Sequence, residues 1–491
     1  MIDAVRGVQD WLPEQVAAKE LVREQLETLF HRAGYETIEP PILEHRELYL
    51  KKLGEELVGK LYDFTFHGRA LALRPELTAS VLRAYIRHLR GMPQPVRLRY
   101  AGPVFRYERP RRDTYRQFTQ VGIELLGVAG PYADAEALAL SIAGLRAVGI
   151  EQFRVTIGHV GLARGLLSAL NLAERTQSLL IWSMERLRTK GPEAIRAQLR
   201  AIHGDGGSSL SAFAHLADQD IEALLLSVLP ALGVGLDGSG RTPEEIVGRL
   251  VRKLRRSDPQ PYVERALVLL QELAAARGDP TAALETVESL LSREGLHVPG
   301  PLDEMRILLD LLAAVDLPAG SLILDFGMGR GLHYYTGLIF EIDDMRGAQL
   351  CGGGRYDDLV AALGGPPTPA VGFAYGLERV VAAAKPPVPD MAELRVLVVR
   401  DGVEASYSQA MRLADALRRE GWVALLDVRG RALSSNLRDA ARRSIRYVAI
   451  VAAHEIRWRD LDTGEELRLP ADEEGLALLA RRAAERKEAR R

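Results

Sequence analysis

A single cysteine, Cys351, in a chain of 491 residues excludes an internal disulfide and any multi-cysteine zinc site, and it fits a reducing compartment. Long apolar runs are also missing. Segments such as "LRVLVV" fall well short of the ~20 residues that cross a bilayer. The opening "MIDAVRGVQDWLPEQ" lacks a basic-then-apolar leader, so a soluble, cytoplasmic protein is expected. Net charge is −2, which gives no global attraction to nucleic acid or membrane, although a local basic surface remains compatible with either. No internal repeat is visible. With 47% hydrophobic residues, the chain can bury a large core divided into two or three domains.

Periodicity organises the rest. Residues 14 to 33 carry apolar positions at helical spacing, with Gly34 as the stop. "YETIEPPILE" reads as a strand interrupted by Pro40 and Pro41, hence an edge strand or an interface. "VRLRYAGPVFRYE" reads as a further strand, and "ALALRPELTASVLRAYIRHL" runs from strand into helix. Together these predict an α+β fold, an antiparallel sheet flanked by helices. Between about 165 and 315 helical patterns take over. Thr242, Pro243 and Glu245 form a start signal there, and Asp279 with Pro280 forms another. Strand patterns return at "SLILDF", "LIFEI" and "AQLCGGGRY", so the helical stretch interrupts one sheet. "AKPPVPDMAE" reads as a linker. Beyond it, β-α-β-α-β alternation predicts a small α/β domain with parallel strands. From residue 391 onward 20 basic residues face 17 acidic ones, a weak pointer to an anionic partner. The expected domains are 1–164 and 316–384 as one core, 165–315 as a helical insertion, and 394–480.

Three stretches carry chemistry. In "VFRYERPRRDTYRQFTQVGIELLG", Arg106, Arg109, Arg111, Arg112 and Arg116 crowd between two strand-like segments. Arginine forks match phosphate or carboxylate oxygens; a salt-bridged loop using Glu108 and Asp113 is the structural alternative. "CGGGRYDDLVAALGG" gives three glycines leaving a strand, with Arg355 at the edge. Close backbone approach to a ligand and a simple tight bend both fit it. That run matches neither common phosphate-loop pattern. In "GMGRGLHYYTGLIFEI", glycines flank Arg330 ahead of Tyr334 and Tyr335. Recognition of a small polar ligand and tyrosines packed into the core both remain open there. His333 has no second His or Cys nearby, so no metal site is expected.

Taken in order, "RPELTASVLR", "FRYERP…YRQFTQVGIELLG", "RGLHYYTGLIFE" and "GGGRYDDLVAALGG…TPAVGFAYGLERV" resemble the motifs of class II aminoacyl-tRNA synthetases of the histidyl type. The N-terminal "RGVQDWLP" and "PPILE" resemble that family's start and its dimer-forming motif. The resemblance implies a class II sheet with flanking helices, a helical insertion and an anticodon-binding-type C-terminal domain. It implies ATP and Mg2+, with histidine and tRNA(His) as substrates and a homodimer as the assembly. Arg106, Arg330 and Arg379 would be catalytic. Arg106, Glu108, Phe118 and Arg379 would hold ATP. Glu76, Thr78, Gln120, Glu124, Arg330, Tyr334 and Tyr335 would hold histidine, Glu124 and Tyr335 reading the imidazole. Arg109, Arg111 and Arg116, with Arg429, Arg431 and Arg438 in the last domain, would face tRNA. Three departures stand out: Leu77 replaces a usual glycine, Thr114 a common arginine, and His333 a usual aspartate. The insertion's opening "IGHVGLARGLLSAL" resembles the related regulatory subunit of ATP phosphoribosyltransferase. A histidine-sensing subunit partnered by that enzyme's catalytic subunit is therefore the alternative function.

Overall fold

The computed structural model describes residues 2–479 apart from 51–57, 110–113, 171, 204–217, 232–241, 244–246, 248–259, 329–333, 387–394, 403–405, 473 and 476–477. The chain divides into two compact units, Met1–Pro387 and Val388–Arg491.

The first unit opens with the helix Pro13–Arg32, which has proline in its first turn and buries Ala18, Val22, Leu26 and Phe30, one residue per turn. Gly34, at φ 86°, turns the chain out of it. Then come β1 (Glu36–Thr37), β2 (Leu43–His45), β3 (Tyr62–Phe66) and β4 (Arg69–Leu73). Pro40 and Pro41 separate β1 from β2 and send them to different sheets. β1 ends up on the edge of the main sheet, and β2 joins β4 and β3 in a small one. Two long strands follow, β5 (Val96–Phe105) and β6 (Gln117–Leu126), joined by the arginine-rich hairpin. β7 (Phe153–His159), β8 (Arg277–Gly278), β9 (Leu322–Asp325), β10 (Leu338–Asp344), β11 (Gln349–Arg355) and β12 (Ala370–Gly376) complete the main sheet.

Its order among the described residues is β1-β5-β6-β12-β11-β10-β7-β9-β8. The sheet is antiparallel except at its flanks, where β1 runs parallel to β5 and β7 parallel to β9. The expected antiparallel sheet is thus extended by two parallel pairs, because "YETIEP" enters beside β5 and "SLILDF" beside β7 in the same direction. A second difference is β8, a two-residue strand inside the helical stretch that extends the sheet edge beside β9.

One face of the sheet packs against helices Pro13–Arg32 and Pro131–Ala147. The helices between residues 160 and 312 contribute to the same cluster, through Leu166, Leu187, Leu270, Val287 and Met305. Each such side chain withdrawn from water contributes ~1.5–3 kcal/mol. The helix Pro280–Glu294 starts where the sequence signals it: Asp279 Oδ1 accepts from Thr281 N at 3.0 Å, and Gly295 closes the helix at φ 62°. The other start signal, Thr242 to Glu245, runs outside the described residues. The opposite sheet face carries a tyrosine-rich cluster built from Leu77, Tyr100, Tyr334, Tyr335, Ile339 and Tyr356.

In the second unit the strands are β13 (Arg395–Arg400), β14 (Val423–Leu426), β15 (Tyr447–Val451), β16 (Glu455–Asp460) and β17 (Glu466–Pro470), ordered β14-β13-β15-β16-β17. The first three are parallel as expected. β16 and β17 add an antiparallel hairpin that the sequence reading left out. Trp422, Tyr447 and Trp458 pack ring to ring beneath it, each pair 5.3 Å apart.

Candidate active site

A cavity of about 590 Å³ lies in the first unit, over the central strands β6, β12 and β11. A volume of that size suits a ligand as large as a nucleotide with a small partner. Its contents fall into two chemically distinct ends.

One end is tyrosine and carboxylate. Tyr334, Tyr335 and Tyr356 cluster with ring centroids 4.9 to 6.4 Å apart, and all three line the cavity with Glu76, Thr78 and Gln120. Glu76 is 2% exposed. Its Oε1 accepts from the Ala79 backbone N at 2.9 Å, at the start of the helix Thr78–Ala84, whereas Oε2 is buried and has no hydrogen-bond partner among the described residues. Burial pushes its pKa up, against the pull of the Ala79 N–H and of Arg106. Oε2 is thus the acceptor of this carboxyl that a ligand donor could use.

Glu124 lies behind that wall, 0% exposed. The Tyr100 hydroxyl donates to its Oε1 at 3.0 Å, and the Tyr356 hydroxyl donates to its Oε2. Burial holds this carboxyl well above the usual range. The register explains how it fits. Glu124 in β6 stands opposite Gly372 in β12, and a Cβ on Gly372 would overlap Glu124 Oε2. Glycine here makes room for a carboxylate.

The three-glycine run of β11 serves the same purpose. It neither bends nor leaves the sheet; it runs straight through it. Side chains on Gly353 or Gly354 would overlap neighbouring backbone, and at Gly354 a Cβ would also meet the Tyr335 ring at 2.8 Å. Arg355 is a correction to its sequence reading as an edge group beside a ligand. It is 4% exposed and pairs with Asp134 at 2.7 Å and Asp357 at 2.9 Å, so its donors are spent holding the β11 end to the helix Pro131–Ala147.

The other end is cationic. Arg106, Arg109, Arg379 and Lys60 line it, with Glu108 and Phe118. Arg106 Nε donates to the Pro75 carbonyl at 2.7 Å, and its guanidinium lies 5.4 Å from the Phe118 ring centre. Arg379 Nη1 donates to the Gln349 carbonyl at 3.2 Å, and Lys60 pairs with Glu108 at 3.1 Å. Glu378 is already committed: it accepts from Thr119 N and Thr119 Oγ1, both at 2.9 Å, and from Lys19 at 2.7 Å. The cations outnumber the carboxylates not otherwise engaged, so this end favours an anion.

The residues singled out from sequence therefore distribute as follows. Arg106, Glu108, Arg109, Phe118, Arg379, Glu76, Thr78, Gln120, Tyr334 and Tyr335 share the cavity. Arg116 does not line it. It donates to the Glu108 and Arg6 carbonyls and sits 4.1 Å from the Tyr107 ring centre, tying the N-terminal segment to the hairpin. Arg111, Arg330 and His333 lie outside the described residues. Leu77 tolerates the glycine position because its backbone is ordinary right-handed helix (φ −97°, ψ −26°), and its N–H donates to Gln120 Oε1 at 3.0 Å. Tyr356, Tyr100, Gly372 and Lys60 were not singled out. Only "GGGRYDD", which places a tyrosine straight after the glycine strand, offered a sequence signal for any of them.

In the second unit Arg429 and Arg438 are exposed, while Arg431 is engaged by Asp439 at 2.9 Å.

Comparison with known proteins bears on the family of the chain. The sequence model described as Histidyl-tRNA synthetase matches residues 7–231 and 248–380, and that of an anticodon binding domain matches 393–477. This chain belongs to the histidyl-tRNA synthetase family. It is 32% identical over 480 residues to a histidine–tRNA ligase of Methanocaldococcus jannaschii, covering 96% of this chain and 98% of that one. It is 34% identical over 483 residues to one of Synechococcus sp. (strain JA-3-3Ab), covering 95% and 96%. Among solved structures, apo histidyl-tRNA synthetase of S. aureus superposes with a TM-score of 0.60 at 25% identity, covering 99% of this chain and all of that one. A Bacillus halodurans chain titled as an ATP phosphoribosyltransferase regulatory subunit/histidyl-tRNA synthetase shares the fold, with a TM-score of 0.63 at 22% identity over 92% of this chain and 98% of that one.

Proposed function

We propose that the cavity activates histidine with ATP and that the chain then transfers the histidyl group to tRNA(His). The observation that carries this reading is the pairing, in one cavity, of a carboxylate–tyrosine end with an arginine–lysine end. Histidine suits the first end. Its ammonium group would find Glu76 Oε2, and its imidazole would meet the tyrosine cluster backed by Glu124. A ring read by hydrogen bonds on both nitrogens is separated from analogues lacking them far better than by shape alone. ATP suits the second end, with its phosphates toward Arg106 and Arg379 and its base against Phe118.

In the reaction a histidine carboxylate oxygen attacks the α-phosphorus, pyrophosphate leaves, and histidyl-adenylate forms. A tRNA 3′-terminal hydroxyl then attacks the carbonyl carbon and AMP departs. Two anions must approach in the first step, so the arginines serve mainly by neutralising charge that builds in the transition state. Arg330 would join them on the carboxylate side, a role resting on the motif resemblance. Magnesium would enter with the nucleotide, held by phosphate oxygens and water, and would offset phosphate charge.

Arg109, Arg111 and Arg116, with Arg429, Arg431 and Arg438, remain proposed tRNA contacts. The proposed setting is the cytoplasm and the proposed assembly a homodimer, the latter supported by the exposure of Leu43, Phe64 and Phe66 on the small sheet. Among the described residues no helix is long and apolar enough to cross a membrane.

Histidine-dependent ATP–pyrophosphate exchange, run beside tRNA charging, tests the reading. Exchange with charging supports it. Histidine binding without exchange overturns it in favour of the regulatory-subunit function, which a search for an ATP phosphoribosyltransferase catalytic partner would pursue.

A further inference from the structure

Asp325, the last residue of β9, is buried (4% exposed) yet lies outside the cavity. Three donors converge on it. Arg188 Nη1, from the helix Met184–Lys190, donates at 2.7 Å; Arg277, from β8, pairs at 3.4 Å; and the Gly327 backbone N donates to Oδ1 at 3.0 Å. Both arginines come from the helical stretch between the two halves of the sheet.

The turn that begins at Asp325 is held on both sides. Phe326 N donates to the Ala276 carbonyl at 3.2 Å, and Met328 N to the Asp325 carbonyl at 3.2 Å. Gly327 packs so closely on Ala274 that a Cβ would come within 2.7 Å of its carbonyl oxygen. Past the turn, Met328 packs into the cluster that contains Tyr334 and Tyr335. Through Met328 the turn held by the arginines of the helical stretch is packed against the tyrosine-rich cluster.

We propose that Asp325 and Arg188 are positioning residues: their ion pair fixes the turn at Asp325–Met328 relative to the helix Met184–Lys190, and thereby the tyrosine wall on the histidine side of the cavity. The helical stretch is then part of the amino-acid site without touching the ligand. The inference rests on the assignment of the tyrosine end to histidine.

Arg188 is the better residue to change, because it is a third exposed and Asp325 keeps Arg277 at 3.4 Å as a partner when it is lost. In pyrophosphate exchange on the full chain, Arg188→Ala is expected to raise KM for histidine about threefold or more, the scale seen for residues that touch neither ligand. KM for ATP and kcat should stay near wild type, Tm should fall only modestly because Arg277 and the Gly327 N–H still serve Asp325, and Arg188→Lys should restore most of the effect. Arg196→Ala is the control. Arg196 pairs with Glu264 at 2.7 Å and Glu193 at 2.6 Å in the same helical stretch, away from Asp325, and its loss should leave KM unchanged. An unchanged KM in Arg188→Ala, or an equal rise in Arg196→Ala, overturns the proposal. Should wild type show no exchange, the activity reading fails by itself. Calorimetric titration with histidine then applies the same comparison to Kd.

Discussion

Glu76→Gln separates binding from folding more cleanly than any other single change in this cavity. The amide keeps an oxygen for the Ala79 N–H at the helix start, and it replaces Oε2, buried with no partner among the described residues, by a donor. If Oε2 receives the ammonium group of histidine, the variant loses one charge-assisted hydrogen bond and sets two donors face to face. Such a bond contributes ~1.5–3 kcal/mol, so Kd should rise between about tenfold and about 150-fold. Stability should move the other way. Burial raises the Glu76 pKa in the folded chain above the ~4.3 of an unfolded glutamate. The group's stabilising contribution is therefore complete below that unfolded value and lost as pH rises through the folded one. Glutamine carries no such penalty, so the variant's Tm should match or exceed wild type at pH 7.5, with the advantage shrinking toward pH 4. Calorimetric titration with histidine and thermal melting at the two pH values decide it. A Kd within twofold of wild type in a folded variant would refute the ammonium assignment. A Tm fall confined to neutral pH would refute the burial argument.

Further outcomes follow from the same geometry. Gly372→Ala should abolish histidine binding and cost ~2 kcal/mol or more, since its Cβ overlaps Glu124 Oε2; calorimetry and chemical unfolding read both. Tyr356→Phe leaves a buried carboxylate oxygen without its donor, which should cost ~1–3 kcal/mol in unfolding free energy and weaken histidine binding. Arg330→Ala should abolish adenylate formation with an unchanged Tm, and normal exchange by that variant would end its assigned role. In the second unit, burial pushes the Asp460 carboxyl up, but the Arg446 guanidinium and the Asp462 and Thr463 N–H groups outweigh it and hold it below the usual range. Its stabilisation is present above the unfolded value of ~3.9 and lost as pH falls through the folded one. Asp460→Asn should therefore lower the full chain's Tm at pH 7, by an amount that shrinks as pH falls below the unfolded value.

What the sequence made legible was local. Proline and glycine bracket the helix Pro13–Arg32, Asp279 and Gly295 bracket the helix Pro280–Glu294, and alternation marks β5. Each is decided within a few residues of itself, so composition and period suffice. The cavity was legible in part, because the motif resemblance named residues such as Glu76 and Arg106 together. What escaped depends on which strands lie side by side. Gly372 looks like any strand glycine until β12 is set against β6 and Glu124 appears opposite it. Arg355 looks like a ligand contact until the helix Pro131–Ala147 brings Asp134 to it. β8 is two residues long and gains its strand character only from β9. Asp325 was invisible for the same reason, since Arg188 lies far from it in the chain.

The pairing of β6 with β12 also bears on how the chain comes off the ribosome. β6 is complete early, but its neighbour at Gly372 emerges only after the whole helical stretch has been made. During that interval one edge of β6 has no partner of its own chain, and neither the tyrosine wall nor the arginine end can close. A nascent chain stalled in the helical stretch would carry an open, largely apolar strand edge, which is a template for mispairing with other chains. Fragments ending before β9 should accordingly aggregate where the complete chain stays dispersed.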